Sequence, residues 1–141
     1  MIVAIIGLGL IGGSLGISLK NRAGINHILG IDSHSDNAAK ALKLGLADEI
    51  VTLPEAIKRA DLFIVSTPMD SMVRIIPELL SSITDLQIVM DVGSTKMQLS
   101  EAVRLHPKRN RYVAAHPMAG TEFSGPEAAI PHLFEGKYTV L

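Results

Sequence analysis

The chain has no cysteine and no tryptophan, and only two tyrosines and three phenylalanines. Without thiols there is no disulfide framework, no cysteine-based zinc centre and no cysteine nucleophile. A reducing, cytoplasmic setting is the expectation that fits. An excess of charge of one sign is lacking too, since 13 Lys and Arg stand against 14 Asp and Glu for a net charge of −1. That balance argues against a broad surface for nucleic acid or anionic lipid. Internal repeats, low-complexity tracts and Ser/Gly/Pro linkers are missing as well. What is present is a chain of 141 residues, 48% of them hydrophobic. Such a chain buries roughly 68–70% of the surface exposed when unfolded, enough for one domain without a structural metal. Small-molecule chemistry is therefore the leading class.

Residues 1–19 carry no charged side chain, a run long enough to imitate a membrane span or the core of a signal peptide. No basic region precedes the run, and Gly7, Gly9, Gly12, Gly13 and Gly16 interrupt it. It reads as strand, loop and helix, not as a spanning or targeting segment.

Short apolar runs followed by turn signals and helical patterns recur along the chain, the mark of parallel strands buried on both faces. Strands are expected at Ile2–Ile6, Ile28–Ile31, Leu62–Val65, Ile88–Met90, Tyr112–Ala115 and near Tyr138–Leu141. Helices fall between them. Ile11–Lys20 follows the first glycine turn, and Ser35–Leu44 opens on a candidate N-cap and stops before Gly45. Thr52 with Glu55, and Thr95 with Gln98, have capping-box spacing, for Pro54–Arg59 and for a helix ending near Leu105. Met69–Ile83 is helical in pattern but contains Pro77, which predicts a kink or two abutting helices. Between Pro117 and Pro131 a loop is expected, with a short helix around Pro126–Ile130. The fold class is α/β: a single domain with a doubly wound, mostly parallel, Rossmann-like sheet and helices on both faces.

Gly7-Leu8-Gly9-Leu10-Ile11-Gly12 satisfies G-x-G-x-x-G directly after a strand and at the mouth of a helix. Gly7 allows the tight turn, Gly9 lets the backbone approach a pyrophosphate, and Gly12 lets helix and strand pack closely. The hexapeptide alone is weak evidence. Its context strengthens it, because the second strand ends at Asp32, about 20 residues beyond the last glycine, where a ribose-binding carboxylate belongs. A carboxylate there repels a 2′-phosphate, so the expected cofactor is NAD, not NADP. The competing reading is that the glycines only shape a turn and Asp32 caps the next helix. His34 or Lys40, if it reached a 2′-phosphate, would soften the preference.

Ligands in such sheets bind beyond the carboxyl ends of the strands. Ser66-Thr67-Pro68, Asp91–Lys96 and His116–Gly120 all follow expected strands and so fall on one rim. Each has a structural alternative: Thr67-Pro68 as a helix start, Ser94 or Thr95 as N-caps, His116 as a satisfied boundary histidine. Their coincidence on the cofactor rim favours a site. The five histidines show no metal-ligand spacing, so no metal is expected. The basic run Arg104–Arg111 reads as a solvated helix end and loop.

Asp91-Val92-Gly93-Ser94-Thr95-Lys96, His116-Pro117-Met118-Ala119-Gly120-Thr121-Glu122-Phe123-Ser124-Gly125 and the opening Gly-Leu-Gly-Leu-Ile-Gly-Gly-Ser resemble the nucleotide-binding half of prephenate/arogenate dehydrogenases. The likeness runs along essentially the whole chain, and the HPMAG-x-E-x-SG stretch is its specific part. The resemblance implies NAD-dependent oxidative decarboxylation of prephenate or arogenate in tyrosine biosynthesis. It makes His116 the catalytic histidine that takes the ring-hydroxyl proton, and Ser94 the serine that orients it and touches nicotinamide and substrate. Thr121, Glu122 and Ser124 fall where relatives line or gate the substrate pocket. Ser66, Thr67 and Pro68 join the glycine turn as cofactor contacts. Neutral imidazole, with a reference pKa of about 6.5, suits removal of a hydroxyl proton as a hydride departs.

The family also implies a C-terminal helical domain that forms a homodimer and supplies an arginine to the substrate's carboxylates. These 141 residues contain no such region. Arg74, Lys96 and Lys137 are the cationic candidates left by motif position. The expectation is a dinucleotide-binding domain over residues 1–141 that binds NAD, turns over prephenate poorly or not at all, and exposes an apolar face near Tyr138–Leu141. The alternatives are a stand-alone NAD-binding or regulatory module and a dehydrogenase for another hydroxy acid.

Overall fold

Five apolar residues, Ile2–Ile6, form β1, the strand around which the main sheet is laid. The computed structural model describes residues 1–20 and 22–141. After β1 come α1 (Leu10–Leu19), β2 (His27–Ile31), α2 (Ser35–Lys43), β3 (Glu49–Ile50) and α3 (Leu53–Arg59). The second half of the sheet follows as β4 (Leu62–Val65), α4 (Met69–Ser82), β5 (Ile88–Asp91), α5 (Met97–Val103) and β6 (Tyr112–Ala114). The six strands run parallel in the order β3-β2-β1-β4-β5-β6. The order reverses beside β1, and the crevice that such a reversal opens lies between the loops leaving β1 and β4.

Strand burial follows from the sequence. Ile5, Ile28, Leu29, Phe63 and Ile64 are lost to solvent because helices cover both faces of the sheet. Each such side chain contributes about 1.5–3 kcal/mol on burial. The capping box expected at Thr52 and Glu55 forms at the head of α3. The one expected at Thr95 and Gln98 does not: α5 starts after Lys96 without a side-chain cap, because Lys96 turns back towards β5. Ser35 is likewise not a cap but the first residue of α2. Pro77 neither ends nor divides α4, whose single span runs through it. Ser81 Oγ donates to the Pro77 carbonyl (3.0 Å) and Ser82 Oγ to that of Glu78 (2.9 Å), which supports the turns after the proline.

The final apolar run departs from expectation in kind. Thr139–Val140 (β8) pairs antiparallel with His116–Pro117 (β7) as a separate two-stranded sheet and adds no strand to the main one. Tyr138, Val140 and Leu141 are exposed. The short helix expected at Pro126–Ile130 is a single 3₁₀ turn, Pro126–Ala128.

At the β3 edge Arg59 grips Glu49 with both guanidinium nitrogens, 3.0 and 2.6 Å, and His27 Nε2 lies 3.4 Å away. Donation from Arg59 lowers the Glu49 carboxyl from its usual 4.5 to about 2. A depressed carboxyl stabilises the fold above its ordinary value, and that contribution disappears as pH falls through about 2. Both side chains keep about two-fifths of their surface in solvent, 40% for Arg59 and 43% for Glu49, so the contribution is small. Glu49→Gln is expected to narrow its stability gap to the parent between pH 4.5 and 2, read by acid-unfolding fluorescence. A gap that stays constant over that range contradicts the assignment.

Candidate functional site

The turn after β1 is shaped by two close approaches. Gly7 has φ +92°, a left-handed conformation that L side chains rarely adopt, and a Cβ there would meet the Ser66 carbonyl at 2.8 Å. A Cβ on Gly12 would run into the Gly7 carbonyl and Ser66 Oγ. Ser66 closes the turn from β4: its Oγ donates to the Gly7 carbonyl at 2.6 Å, and its N–H to that of Ile6 at 2.8 Å. Gly9 is different, since a Cβ there meets no protein atom within 4 Å. It faces space.

That space is a cleft of about 730 Å³. Gly7, Gly9, Asp32, Ser66, Thr67 and Pro68 all line it, so the structure brings most of the expected cofactor residues together. Leu8 instead turns its side chain fully into the core, and its N–H goes to Asp32 Oδ2 at 3.0 Å. Leu10 and Ile11 open α1 half-buried, and Gly12 is buried behind the turn.

Asp32 both caps and faces the cleft. Its Oδ1 accepts the His34 N–H at 2.9 Å at the head of α2 while Oδ2 anchors the glycine turn. A carboxylate has about four lone-pair sites, so two backbone bonds leave capacity for the hydroxyls of a ribose. Lys40 is engaged elsewhere, with its Nζ 2.6 Å from Glu127 Oε1. His34 lines the same cleft.

Thr67 Oγ1 is buried on this wall and has no hydrogen-bond partner among the described residues. A buried hydroxyl without a partner carries a desolvation cost that a polar ligand would relieve. With the carboxylate, the open Gly9 and the N-terminus of α1, it forms a surface that fits a dinucleotide.

Residues not expected at the cofactor site extend the lining. Ser71, Arg74, Ile75 and Glu78 form one stripe on α4, and Gly125 reaches the cleft from the loop after β7. The α4 stripe follows the three-and-four spacing of a single helix face, a signal that was available once β4 was drawn. Gly125 closes the HPMAG-x-E-x-SG stretch, which does not by itself place it on this cleft. It is held by a strap that crosses back over α1 and α2: Ile130 N–H donates to buried Ser14 Oγ (2.9 Å), Ser18 Oγ to the Pro131 carbonyl (3.0 Å), and Glu127 pairs with Lys40. The β7–β8 pairing closes the base of this strap beside His116.

Ser94, His116, Thr121, Glu122 and Ser124 lie outside that lining. Ser94 is exposed on the loop after β5, and His116 is half-buried in β7. β5 and β6 are neighbours in register, Asp91 opposite Ala114, so both residues leave the sheet at the same rim. Thr121, Glu122 and Ser124 are exposed in the strap.

The loop carrying Ser94 is tied down from below. Asp91 is fully buried, and its Oδ1 accepts the Gly93 N–H (2.7 Å) and Lys96 Nζ. Its Oδ2 accepts the Tyr112 hydroxyl at 2.5 Å. Burial, together with that bond to Asp91, pushes the Tyr112 phenol well above its ordinary value, so it stays a donor. Lys96 Nζ also donates to the Ala115 carbonyl at 2.6 Å. Lys96 is therefore occupied, while Arg74 lines the cleft at the strand reversal and Lys137 is exposed.

Residues 15–141 match the family model described as prephenate dehydrogenase, nucleotide-binding domain. A prephenate dehydrogenase of Bacillus subtilis is 37% identical over 142 residues, covering 99% of this chain and 38% of that protein. Among solved structures, Synechocystis arogenate dehydrogenase has a TM-score of 0.86 at 28% identity, over 99% of this chain and 49% of that one. Prephenate dehydrogenase from Aquifex aeolicus, in complex with hydroxyphenyl propionate and NAD+, has a TM-score of 0.81 at 31% identity, over 99% and 49%. The chain spans less than half the length of each of these proteins. With the glycine turn, the carboxylate at the end of β2 and the family match in agreement, the chain belongs to the prephenate dehydrogenase family and corresponds to its nucleotide-binding domain.

Proposed function

We propose that residues 1–141 form the NAD-binding, base-carrying domain of an enzyme that oxidatively decarboxylates prephenate to 4-hydroxyphenylpyruvate. The observation that carries this reading is the cleft at the strand reversal, where Gly9, Asp32 and the unpartnered Thr67 Oγ1 converge. The Aquifex aeolicus relative solved with NAD+ supports the choice of nucleotide.

Gly7, Gly9 and Gly12 let backbone and the head of α1 approach the pyrophosphate, and Asp32 accepts the ribose hydroxyls and excludes a 2′-phosphate. Ser66, Thr67 and Pro68 line the wall from β4. Bound NAD supplies the hydride acceptor. His116 accepts the proton of the ring hydroxyl as that carbon loses hydride, and Ser94 orients the imidazole by hydrogen bonding. Carbon dioxide then leaves, the pair of electrons from the broken C–C bond completes the aromatic ring, and the proton held by His116 returns to the phenolate oxygen. Thr121, Glu122 and Ser124 contribute to the substrate side. The likeness to Synechocystis arogenate dehydrogenase makes arogenate the second substrate to test.

Calorimetric titration with NAD and with NADP tests the reading first: NAD is expected to bind at least about tenfold more tightly. His116→Asn is expected to leave NAD affinity intact and to remove whatever NADH formation the parent shows with prephenate. Equal affinity for the two nucleotides, or undiminished turnover by His116→Asn, overturns it. Cofactor affinity that ignores prephenate favours a bare binding module.

A further inference from the structure

The proposed base stands on the short strand β7, to which no side chain lining the cleft hydrogen-bonds among the described residues, and its position has to be fixed from elsewhere. The hydrogen bonds around Asp91 supply that connection. One carboxylate, fully buried at the end of β5, gathers three donors from the loop after β5 and from β6: Gly93 N–H, Lys96 Nζ and the Tyr112 hydroxyl. Ser94 lies between the first two of these, so its loop is closed onto the carboxylate at both ends. Lys96 then spends a second donor on the carbonyl of Ala115, the residue directly before His116.

An ammonium group has three donors. Two of them are committed here, one to Asp91 at the end of β5 and one to Ala115 between β6 and β7, and the side chain is mostly covered, with 29% of its surface exposed. A lysine meant for a substrate carboxylate would present its ammonium free at the mouth of the site. This one is folded back beneath the rim. Charge-assisted bonds to a buried acceptor are the strong kind, and their geometry is correspondingly well defined.

Resting on the function proposed above, we infer that Lys96, held between the Asp91 carboxylate and the Ala115 carbonyl, is a positioning residue that sets His116 in register with the Ser94 loop. Tyr112 supports it from the other carboxylate oxygen. The pair Asp91–Lys96 is thus the joint between the two loops, and Lys96 does not take the substrate's carboxylates.

The test uses this chain and the imidazole NMR signals of His116, assigned by their absence in His116→Asn. In the parent, adding NAD is expected to move those signals. In Lys96→Met the signals are expected to be displaced already in the free protein and to lose most of their NAD-induced shift. NAD affinity should change by less than about threefold, because the cleft residues are untouched. Tyr112→Phe, which removes one donor and keeps the ion pair, is expected to act in the same direction and less strongly. A merely structural lysine would lower the melting temperature and leave the His116 response of the folded protein alone.

A folded Lys96→Met with parental His116 signals overturns the inference, the more so if prephenate binding alone is lost, which would give Lys96 to the substrate. Should Lys96→Met not fold, an unchanged His116 response in Tyr112→Phe overturns it. If the parent's His116 signals ignore NAD altogether, the dehydrogenase reading fails first, an outcome distinct from the others.

Discussion

Asp91→Ala is expected to cost about 3–5 kcal/mol of folding stability, the range for removing one partner of a buried ion pair. The loss is large because the carboxylate has no exposed surface and three donors depend on it. Alanine leaves the partly covered Lys96 ammonium without its anion and the buried Tyr112 hydroxyl without its acceptor. Against a total stability of about 5–15 kcal/mol for a domain, that brings the variant near its unfolding threshold. Asp91→Asn keeps the shape and one acceptor but turns an amide towards an ammonium, so an intermediate loss is expected. Urea unfolding followed by circular dichroism measures both. A loss below about 1 kcal/mol for Asp91→Ala, the scale of an ordinary surface change, would mean that the carboxylate is not the joint described above.

The second large effect separates two glycines of the same turn. Gly9→Ala is expected to change stability by no more than about 0.5 kcal/mol, since the new methyl meets no protein atom within 4 Å and the backbone there is already in an extended conformation. Its effect falls on the ligand. The methyl enters the cleft where the proposed pyrophosphate site lies, and NAD affinity is expected to fall by at least about tenfold. Gly12→Ala fails in both respects: its methyl runs into the Gly7 carbonyl and Ser66 Oγ, and overpacking of this sort costs about 1–3 kcal/mol. Thermal melts and calorimetric titrations of the two variants give the comparison. Unchanged NAD affinity in a well-folded Gly9→Ala would place the pyrophosphate elsewhere.

What the sequence made legible was the chemistry that is local. β1, the glycine turn, α1 and Asp32 could be read because each requirement, a buried strand, a positive φ, a close approach, a carboxylate at the end of the next strand, is met within one stretch of chain. β3 could not be read, because Glu49–Ile50 is two residues long and half of it is a charged side chain. Tyr138–Leu141 is exposed as expected, with Tyr138 at 84%, but its strand pairs with β7 outside the main sheet, a partner that apolar composition does not specify. Asp91 and Lys96 both stood in the motif. That the carboxylate faces inward and the lysine folds back onto it depends on the β5–β6 register, which the motif does not contain. The strap over α1 and α2 depends on a contact between Ser14 and Ile130, far apart in sequence, and no spacing rule reaches that far.

The hydrogen bond from Ser66 to Gly7 joins residues 59 positions apart, and the β1–β4 pairing beside it spans a similar distance. Closing so long a loop carries an entropy cost before any contact compensates it, which slows folding relative to helix-rich chains. The glycine turn cannot mature from its own hexapeptide, because it waits for a strand synthesised well after it. Nascent chains released before Val65 therefore hold the fingerprint without the cradle, and acquisition of nucleotide affinity becomes a late clock for the folding reaction.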